Sequence, residues 1–297
     1  MTKRIITIGP ITKDYIITPH EEYSQIGGAV FYQTMTLKQF NANVLSIISI
    51  GIDDVEILGN YFENVSALLQ EKTMLYTNIY DENLKRKQKA AIPLNPIKPE
   101  DINRNIEQAE YALLSPLSPF DIPVETVAHF KNNNIKTVLV AQGFLRKTDH
   151  SGNVIKNKWT NITEYLHHTD ILFLDENEAK TAFQTDTLND SLIKDILIQN
   201  NIEQIIITKA ENGSTIYTKE NIYHIPAIKT TKIIDATGLG DTYIASYIYK
   251  LQETQKIFTS GLFASITAKE KLKNKGPLIA SKEKIEKELK VLLNKYG

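Results

Sequence analysis

The chain has 297 residues, with 42% hydrophobic residues, 23% charged residues and a formal net charge of −1. Those proportions fit a soluble globular protein large enough for a substantial α/β domain, and near-neutrality excludes a global field that gathers nucleic acid or acidic lipid. Cysteine is absent, which excludes disulfides, thiolate catalysis and cysteine zinc sites together.

The N-terminus enters at once into Arg4-Ile5-Ile6-Thr7-Ile8-Gly9, a strand pattern rather than a signal peptide. No apolar run approaches the roughly 20 residues of a membrane span, so a cytoplasmic protein is expected. Short apolar runs at 5–8, 44–50, 111–114, 137–140, 171–174 and 205–208 read as buried strands. Helical spacing lies between them: Phe31, Met35, Leu37 and Phe40 form one face, and Val124, Val127, Ala128 and Phe130 another. Near-continuous Val/Ile/Leu runs alternating with helices predict a mostly parallel sheet covered on both faces. From Tyr243 onward the pattern is mostly helical, ending in an amphipathic Lys/Glu-rich segment at 282–295.

Two segments break this rhythm. Residues 14–18, and 77–80 with 87–94 turning at Asp81-Glu82-Asn83, alternate polar and apolar residues as half-exposed antiparallel strands do. They predict a small sheet, inserted at about 12–26 and 74–95, that stands off one domain spanning 1–297. A flap of that kind covers a substrate and excludes water.

The most informative stretch is Ile233-Ile234-Asp235-Ala236-Thr237-Gly238-Leu239-Gly240-Asp241-Thr242-Tyr243. A β-branched run stops at a Gly-x-Gly turn, an aspartate follows, and a helical pattern begins. That order puts backbone N–H groups at a helix N-terminus, which favours an anion, with a carboxylate beside it to accept a proton. The plainer reading is a glycine-rich strand-to-helix turn with Asp241 as a helix-start residue.

Further motifs stand in order along the chain. Asp14 follows the first strand, Gly27-Gly28-Ala29 precedes a helix, Asp175-Glu176-Asn177-Glu178 follows a strand, and Thr208-Lys209-Ala210-Glu211-Asn212-Gly213 follows another. Together with Asp235–Asp241 they make the chain resemble the PfkB (ribokinase-like) family of carbohydrate kinases over nearly its whole length. Departures from the family patterns are Ala236 for Thr, Leu239 for Ala, Asp175 for Asn in N-x-x-E, Ala210 for the first glycine of T-x-G-x-x-G, and Tyr32 for an asparagine after the di-glycine.

The resemblance implies a three-layer α/β/α fold with a β-sheet lid, and ATP-dependent phosphoryl transfer to a hydroxyl of a small polyhydroxylated acceptor, a sugar or cyclitol. It implies Asp241 as base, with Gly238, Leu239 and Gly240 in the anion hole formed by the N–H groups from Ala236 to Gly240. Asp14, Gly27 and Gly28 are the implied acceptor site, with Gln142 and Arg146 as further candidate contacts that read equally as surface loop. Asp175, Thr208, Gly213, Thr237, Gly238, Gly240, Ala264 and Ala268 are implied at the nucleotide, and Glu178 at Mg²⁺. A monovalent cation such as K⁺ near Asp235 and residues 275–277, and a homodimer through the lid, are family habits.

Competing readings are a nucleoside kinase, with Phe31, Tyr32 and Phe144 stacking on a base or else packing in the core, and a non-catalytic ligand sensor. The basic run at 85–89 is short and lacks interleaved aromatics, so it reads as a solvated lid strand with Arg86 or Gln88 towards substrate. His167 and His168 lack a third ligand at metal spacing and read as surface residues. Gly238-x-Gly240 lacks the third glycine of a dinucleotide fingerprint, and no Gly-Lys-Ser/Thr follows any glycine loop.

Overall fold

The computed structural model describes residues 3–59, 61, 63–82, 86–102 and 106–296. In chain order the elements are β1 (Arg4–Pro10), β2 (Thr12–Ile17), β3 (Glu22–Gly27), α1 (Ala29–Gln39), β4 (Val44–Gly51), β5 (Val65–Gln70), β6 (Met74–Tyr80) and β7 (Arg86–Ala91). Then come β8 (Ala109–Leu114), α2 (Val124–Asn132), β9 (Lys136–Val140), β10 (Arg146–Thr148), β11 (Val154–Lys156), α3 (Ile162–Leu166), β12 (Ile171–Asp175) and α4 (Glu176–Ala182). The remainder is α5 (Asp190–Gln199), β13 (Gln204–Thr208), β14 (Ser214–Tyr217), β15 (Ile222–Ile225), α6 (Leu239–Thr254), α7 (Ile257–Lys271) and α8 (Lys282–Tyr296).

The main sheet runs β15-β14-β13-β12-β9-β8-β1-β4-β5. Every pair from β13 to β5 is parallel; β14 and β15 join antiparallel at one edge. Alternation of side chains across each strand divides the interior in two. Ile6, Ile8, Leu172, Leu174, Ile205 and Ile207 face one layer with Val127, Phe130, Ile193 and Leu197. Ile5, Ile171, Phe173 and Ile206 face the other with Leu37, Tyr247, Phe263 and Leu289. Each such side chain removed from water contributes about 1.5–3 kcal/mol, so these continuous runs are held at the centre of a three-layer α/β/α sandwich.

The lid is a four-stranded sheet, β3-β2-β6-β7. It is mixed rather than wholly antiparallel as the alternation suggested: β2 pairs β6 in parallel, while β2–β3 and β6–β7 are antiparallel. β7 stops at Ala91, before Pro93, and Asn83 of the expected turn lies outside the described residues. Thr12, Asp14 and Ile16 point inwards from β2, whereas Tyr15 is 46% exposed on the outer side.

Residues 226–236 are irregular, and the β-branched pair ahead of the glycine turn is not a strand. Ile233 and Ile234 are exposed and have no neighbouring strand; the Ile234 N–H donates instead to Leu272 O at the end of α7. β-branching favours a half-buried pleated surface, and none is offered here. Among the described residues no helix is long and apolar enough to cross a membrane.

Candidate active site

The chemistry-bearing motifs gather at the carboxyl edge of the parallel sheet. Asp175 at the end of β12 is the register partner of Thr208 at the end of β13, and β9 ends at Val140, two residues before Gln142. The strand order reverses between β1 and β8, where open α/β sheets leave a crevice. β2 of the lid leaves β1 at this edge.

Where the lid meets α1, the Thr12 hydroxyl donates to Asp14 Oδ1 at 2.7 Å, and both residues are buried. A Cβ on Gly27 would fall 2.5 Å from Asp14 Oδ2 and 2.6 Å from Thr12 Oγ1. Gly27 is therefore the residue that lets the aspartate lie against backbone. Gly28 follows as the cap of α1, whose N-terminus receives no side-chain hydrogen bond. Further along the lid, the Gln88 amide donates to buried Asn78 Oδ1 at 2.9 Å; the Arg86 side chain lies outside the described residues.

The turn at 235–241 begins on a hydrogen bond from Thr237 N–H to Asp235 Oδ1 at 2.9 Å. Leu239 N–H returns to Ala236 O at 3.2 Å. Two donors of the expected anion hole are thus used inside the turn, and Gly238 and Gly240 N–H are left without a backbone acceptor among the described residues. Gly238 is the uncapped N-cap of α6, in the left-handed region at φ 70°, and a Cβ there would fall 2.2 Å from the Tyr32 ring. No other residue fits.

Asp241 lies in the first turn of α6. Burial pushes its carboxyl up to about 7, the Glu178 charge adds to that rise, and Arg146 opposes it. Burial also raises Glu178, reinforced by Asp175 and opposed by the Asp175 N–H, Arg146 and Gln142. Asp175, Glu178, Gln142, Arg146 and Asp241 therefore form one electrostatic cluster. Glu178 and Asp175 bond reciprocally as a capping box: Glu178 N–H donates to Asp175 Oδ1 at 2.7 Å and Asp175 N–H to Glu178 Oε2 at 2.9 Å. Aspartate caps as well as asparagine does, which accounts for the departure at Asp175.

In the loop after β13, Gly213 N–H donates to Ala210 O at 3.1 Å and Lys209 N–H to Gly213 O at 2.7 Å. Ala210 keeps the left-handed backbone, φ 47°, that its glycine counterpart would adopt freely. On α7, Ala268 retains exposed surface, whereas Ala264 has none and is sealed among core residues. That corrects the expectation of both alanines as a nucleotide surface: α7 packs too tightly on the sheet at Ala264 for any ligand contact.

Phe31 and Phe144 are core residues as well; Phe144 stacks on Trp159 at 4.3 Å. Tyr32 differs from them. It is 2% exposed, and among the described residues its hydroxyl has no hydrogen-bond partner. Burial raises the phenol, with Asp235, Asp14 and Asp241 adding to the shift, so the ring lies among all three carboxylates.

The sequence reading missed three residues here: Thr12, Asn78 and Lys271. Lys271 is fully buried at the end of α7, with its ammonium on Asp235. The available signal was its position seven residues after Ala264 and four after Thr267, on a helix face that is otherwise buried.

A three-layer sandwich around a mostly parallel sheet, with a small β-lid over the carboxyl edge, is the ribokinase-like architecture, and a solved pyrophosphate-dependent kinase in the ribokinase family superposes with a TM-score of 0.80 at 21% identity, over 93% of this chain and 97% of that one. The chain belongs to the pfkB family of carbohydrate kinases, whose model matches residues 70–284. A Lactococcus lactis ribokinase is 25% identical over 88% of this chain and 87% of its own length. A Methanocaldococcus jannaschii nucleoside kinase is 35% identical over 39% of this chain, and the match spans only 36% of that protein.

Proposed function

We propose that this kinase transfers the γ-phosphoryl group of ATP to a hydroxyl of a small sugar or cyclitol, with Asp241 as the base. The observation that carries the reading is a carboxylate tuned to about 7 in the first turn of an uncapped helix. A base poised near neutrality accepts a proton from an alcohol and remains ionised often enough to do so.

The acceptor lies against Asp14, beside the Gly27–Gly28 backbone on which that carboxylate packs. A carboxylate accepts two hydrogen bonds, which suits adjacent hydroxyls of a polyol. The attacking oxygen gives its proton to Asp241 and forms the new O–P bond as the bond from phosphorus to the bridging β–γ oxygen breaks, and ADP departs. Charge developing on the transferred group meets the N–H groups of Gly238 and Gly240 at the positive end of α6. Thr208, Gly213, Thr237 and Ala268 border the donor, with Gln142 and Arg146 between donor and acceptor. Arg146 moderates the negative charge of the cluster.

Among the described residues no three acidic or imidazole side chains are grouped to enclose a metal ion, so Mg²⁺ would be held here mainly through water. Glu178 raises the proton affinity of Asp241, and Asp175 raises that of Glu178; a divalent cation would relieve that crowding. Glu178 and Asp175 are the residues that would hold it, largely through water, and the metal supplies neutralisation of the donor's phosphate charge.

A panel of pentoses, hexoses, cyclitols and nucleosides, offered with ATP or with pyrophosphate, tests the reading. Phosphorylation of a sugar or cyclitol by ATP is expected. Turnover confined to nucleosides would favour the nucleoside reading, against which Phe31 and Phe144 count because both are locked in the core. Turnover with pyrophosphate alone would replace the donor. The exposed outer side of β2, with Tyr15, supports a homodimer through the lid, and sedimentation of Tyr15→Glu as a monomer is the expected check.

A further inference from the structure

Family resemblance places a monovalent cation against Asp235 and residues 275–277. The groups around Asp235 do not fit one. Asp235 Oδ1 accepts from Thr237 N–H at 2.9 Å, and Oδ2 accepts from Gly276 N–H at 3.2 Å and from Lys271 Nζ at 3.1 Å. The Asp235 carbonyl accepts from the same ammonium at 2.9 Å. Both carboxylate oxygens and the carbonyl, the oxygens a hard cation would seek, already carry donors, and one of those donors is itself a cation.

Lys271 is fully buried, a placement lysine rarely takes unless paired. Its ammonium has three protons. Two bonds go to Asp235, and the ammonium also stands 5.8 Å from the centre of the Tyr32 ring, whose face is attractive to a cation. Burial depresses the amine while Asp235 supports its charged form. Burial alone would raise Asp235, yet the Thr237 hydrogen bonds and Lys271 hold it below the usual carboxylate range. The same tyrosine ring packs against Gly238. Lys271, Asp235, Tyr32 and Gly238 thus form one continuous support beneath the turn, and the Ile234–Leu272 backbone hydrogen bond ties it to the end of α7.

We propose that the Lys271 ammonium is a tethered replacement for a monovalent cation: by pairing with Asp235 it fixes the 235–240 turn and makes phosphoryl transfer independent of K⁺. Lys271 is a positioning residue. It acts on the transferred group through Asp235 and the turn, and its charge offsets a carboxylate that would otherwise stand uncompensated beside the anion hole. The inference rests on the kinase reading for its effect on turnover, but the pairing itself is testable without turnover.

The experiment compares wild type and Lys271→Ala at constant ionic strength, with either K⁺ or tetramethylammonium as the sole monovalent cation, and reads kcat, KM and the melting temperature. Wild type is expected to change by less than about twofold in kcat between the two salts and not at all in melting temperature. Lys271→Ala is expected to lose about 10²-fold in kcat in tetramethylammonium, and to regain at least about tenfold, with a higher melting temperature, in K⁺ or ammonium. Activation of the wild type about tenfold or more by K⁺ overturns the proposal. So does a folded Lys271→Ala protein that matches wild type in tetramethylammonium, or one that answers K⁺ no more than wild type does. If the variant fails to fold, the wild-type comparison decides alone. Absence of turnover with every acceptor and both donors would sink the kinase reading instead, and the salt dependence of the melting temperatures would still judge the lysine.

Discussion

Two helices, α4 and α6, send acidic residues from their first turns into the same cluster, and they treat their terminal N–H groups in opposite ways. α4 satisfies itself: Asp175 and Glu178 cap its N-terminus reciprocally at 2.7 and 2.9 Å. α6 does not. Its N-cap is Gly238, which has no side chain to offer, and among the described residues the Gly238 and Gly240 N–H groups have no backbone acceptor. Helix-start amides attract negative charge, and here they stand beside a carboxylate raised to about 7. Carboxylates at helix starts are common for the reason seen at α4, and α2 and α3 also begin without a side-chain cap and with Glu125 and Glu164 in their first turns; what sets α6 apart is the burial of its carboxylate beside Glu178.

Asp241→Asn tests the open end, and its effect should be the largest. Loss of the base should lower kcat by about 10²–10⁴-fold while nucleotide binding, read by calorimetry, persists. In wild type the ionised form is lost as pH falls through about 7, so kcat/KM should rise with pH to a plateau above that point; the variant's residual rate should show no such limb. Stability runs the other way. A carboxyl whose folded pKa is raised favours the folded state below its unfolded value near 3.9, and that advantage is gone above about 7. Asn carries no charge to bury, so the variant should melt above wild type at pH 8, with the gain vanishing near pH 4. Near-normal turnover in Asp241→Asn would remove it as the base.

Gly238→Ala should come next, because it damages the open end without touching a charge. The new methyl group meets both a left-handed backbone and the Tyr32 ring 2.2 Å away, a combination worth about 1–3 kcal/mol of stability. Turnover should fall with it, since the amide of Gly238 is tilted as the ring is displaced. Tyr32→Ala in the same chain makes room for the methyl, and should recover part of the lost turnover. A Gly238→Ala protein with unchanged melting temperature and rate would show that the turn is not braced by Tyr32.

The contrast between the helices was only half legible in the sequence. The strands at 5–8, 44–50, 111–114, 137–140, 171–174 and 205–208 were readable because strands buried on both faces are continuously apolar. β5, β14 and β15 were not: β5 and β15 are the sheet's two edge strands, β14 lies beside β15, and all three mix Ser, Thr, Gln or His with their apolar residues. The Ile233-Ile234 pair misled because β-branching records a preference for a pleated surface, and only the fold shows whether a neighbouring strand exists. Motif order singled out Asp14, Gly27, Asp175, Glu178 and Asp241 as candidates. It said nothing of which amides of the turn are spent internally, nor of Lys271, whose partner lies 36 positions away in sequence. The buried helix face marked the lysine, but its partner in the irregular stretch before α6 follows only from the packing of the fold.

The smallest effects belong to the closed end, and they separate capping from catalysis there. Asp175→Asn keeps an equally good cap, so its melting temperature should stay within about 2 °C of wild type, and it restores the residue of the N-x-x-E pattern. Glu178→Gln likewise keeps a side-chain oxygen for the Asp175 N–H, and its stability should barely change. If Glu178 does nothing but cap, turnover follows stability and also holds. If it serves Mg²⁺, the concentration of Mg²⁺ needed for half-maximal rate should rise about tenfold while the melting temperature stays put. Glu178→Ala removes both functions and should lose about 1 kcal/mol of stability as well. A Glu178→Gln enzyme with wild-type Mg²⁺ dependence would confine that carboxylate to the helix it closes, and would leave Asp241 as the one acidic residue of the pair that answers to the ligand.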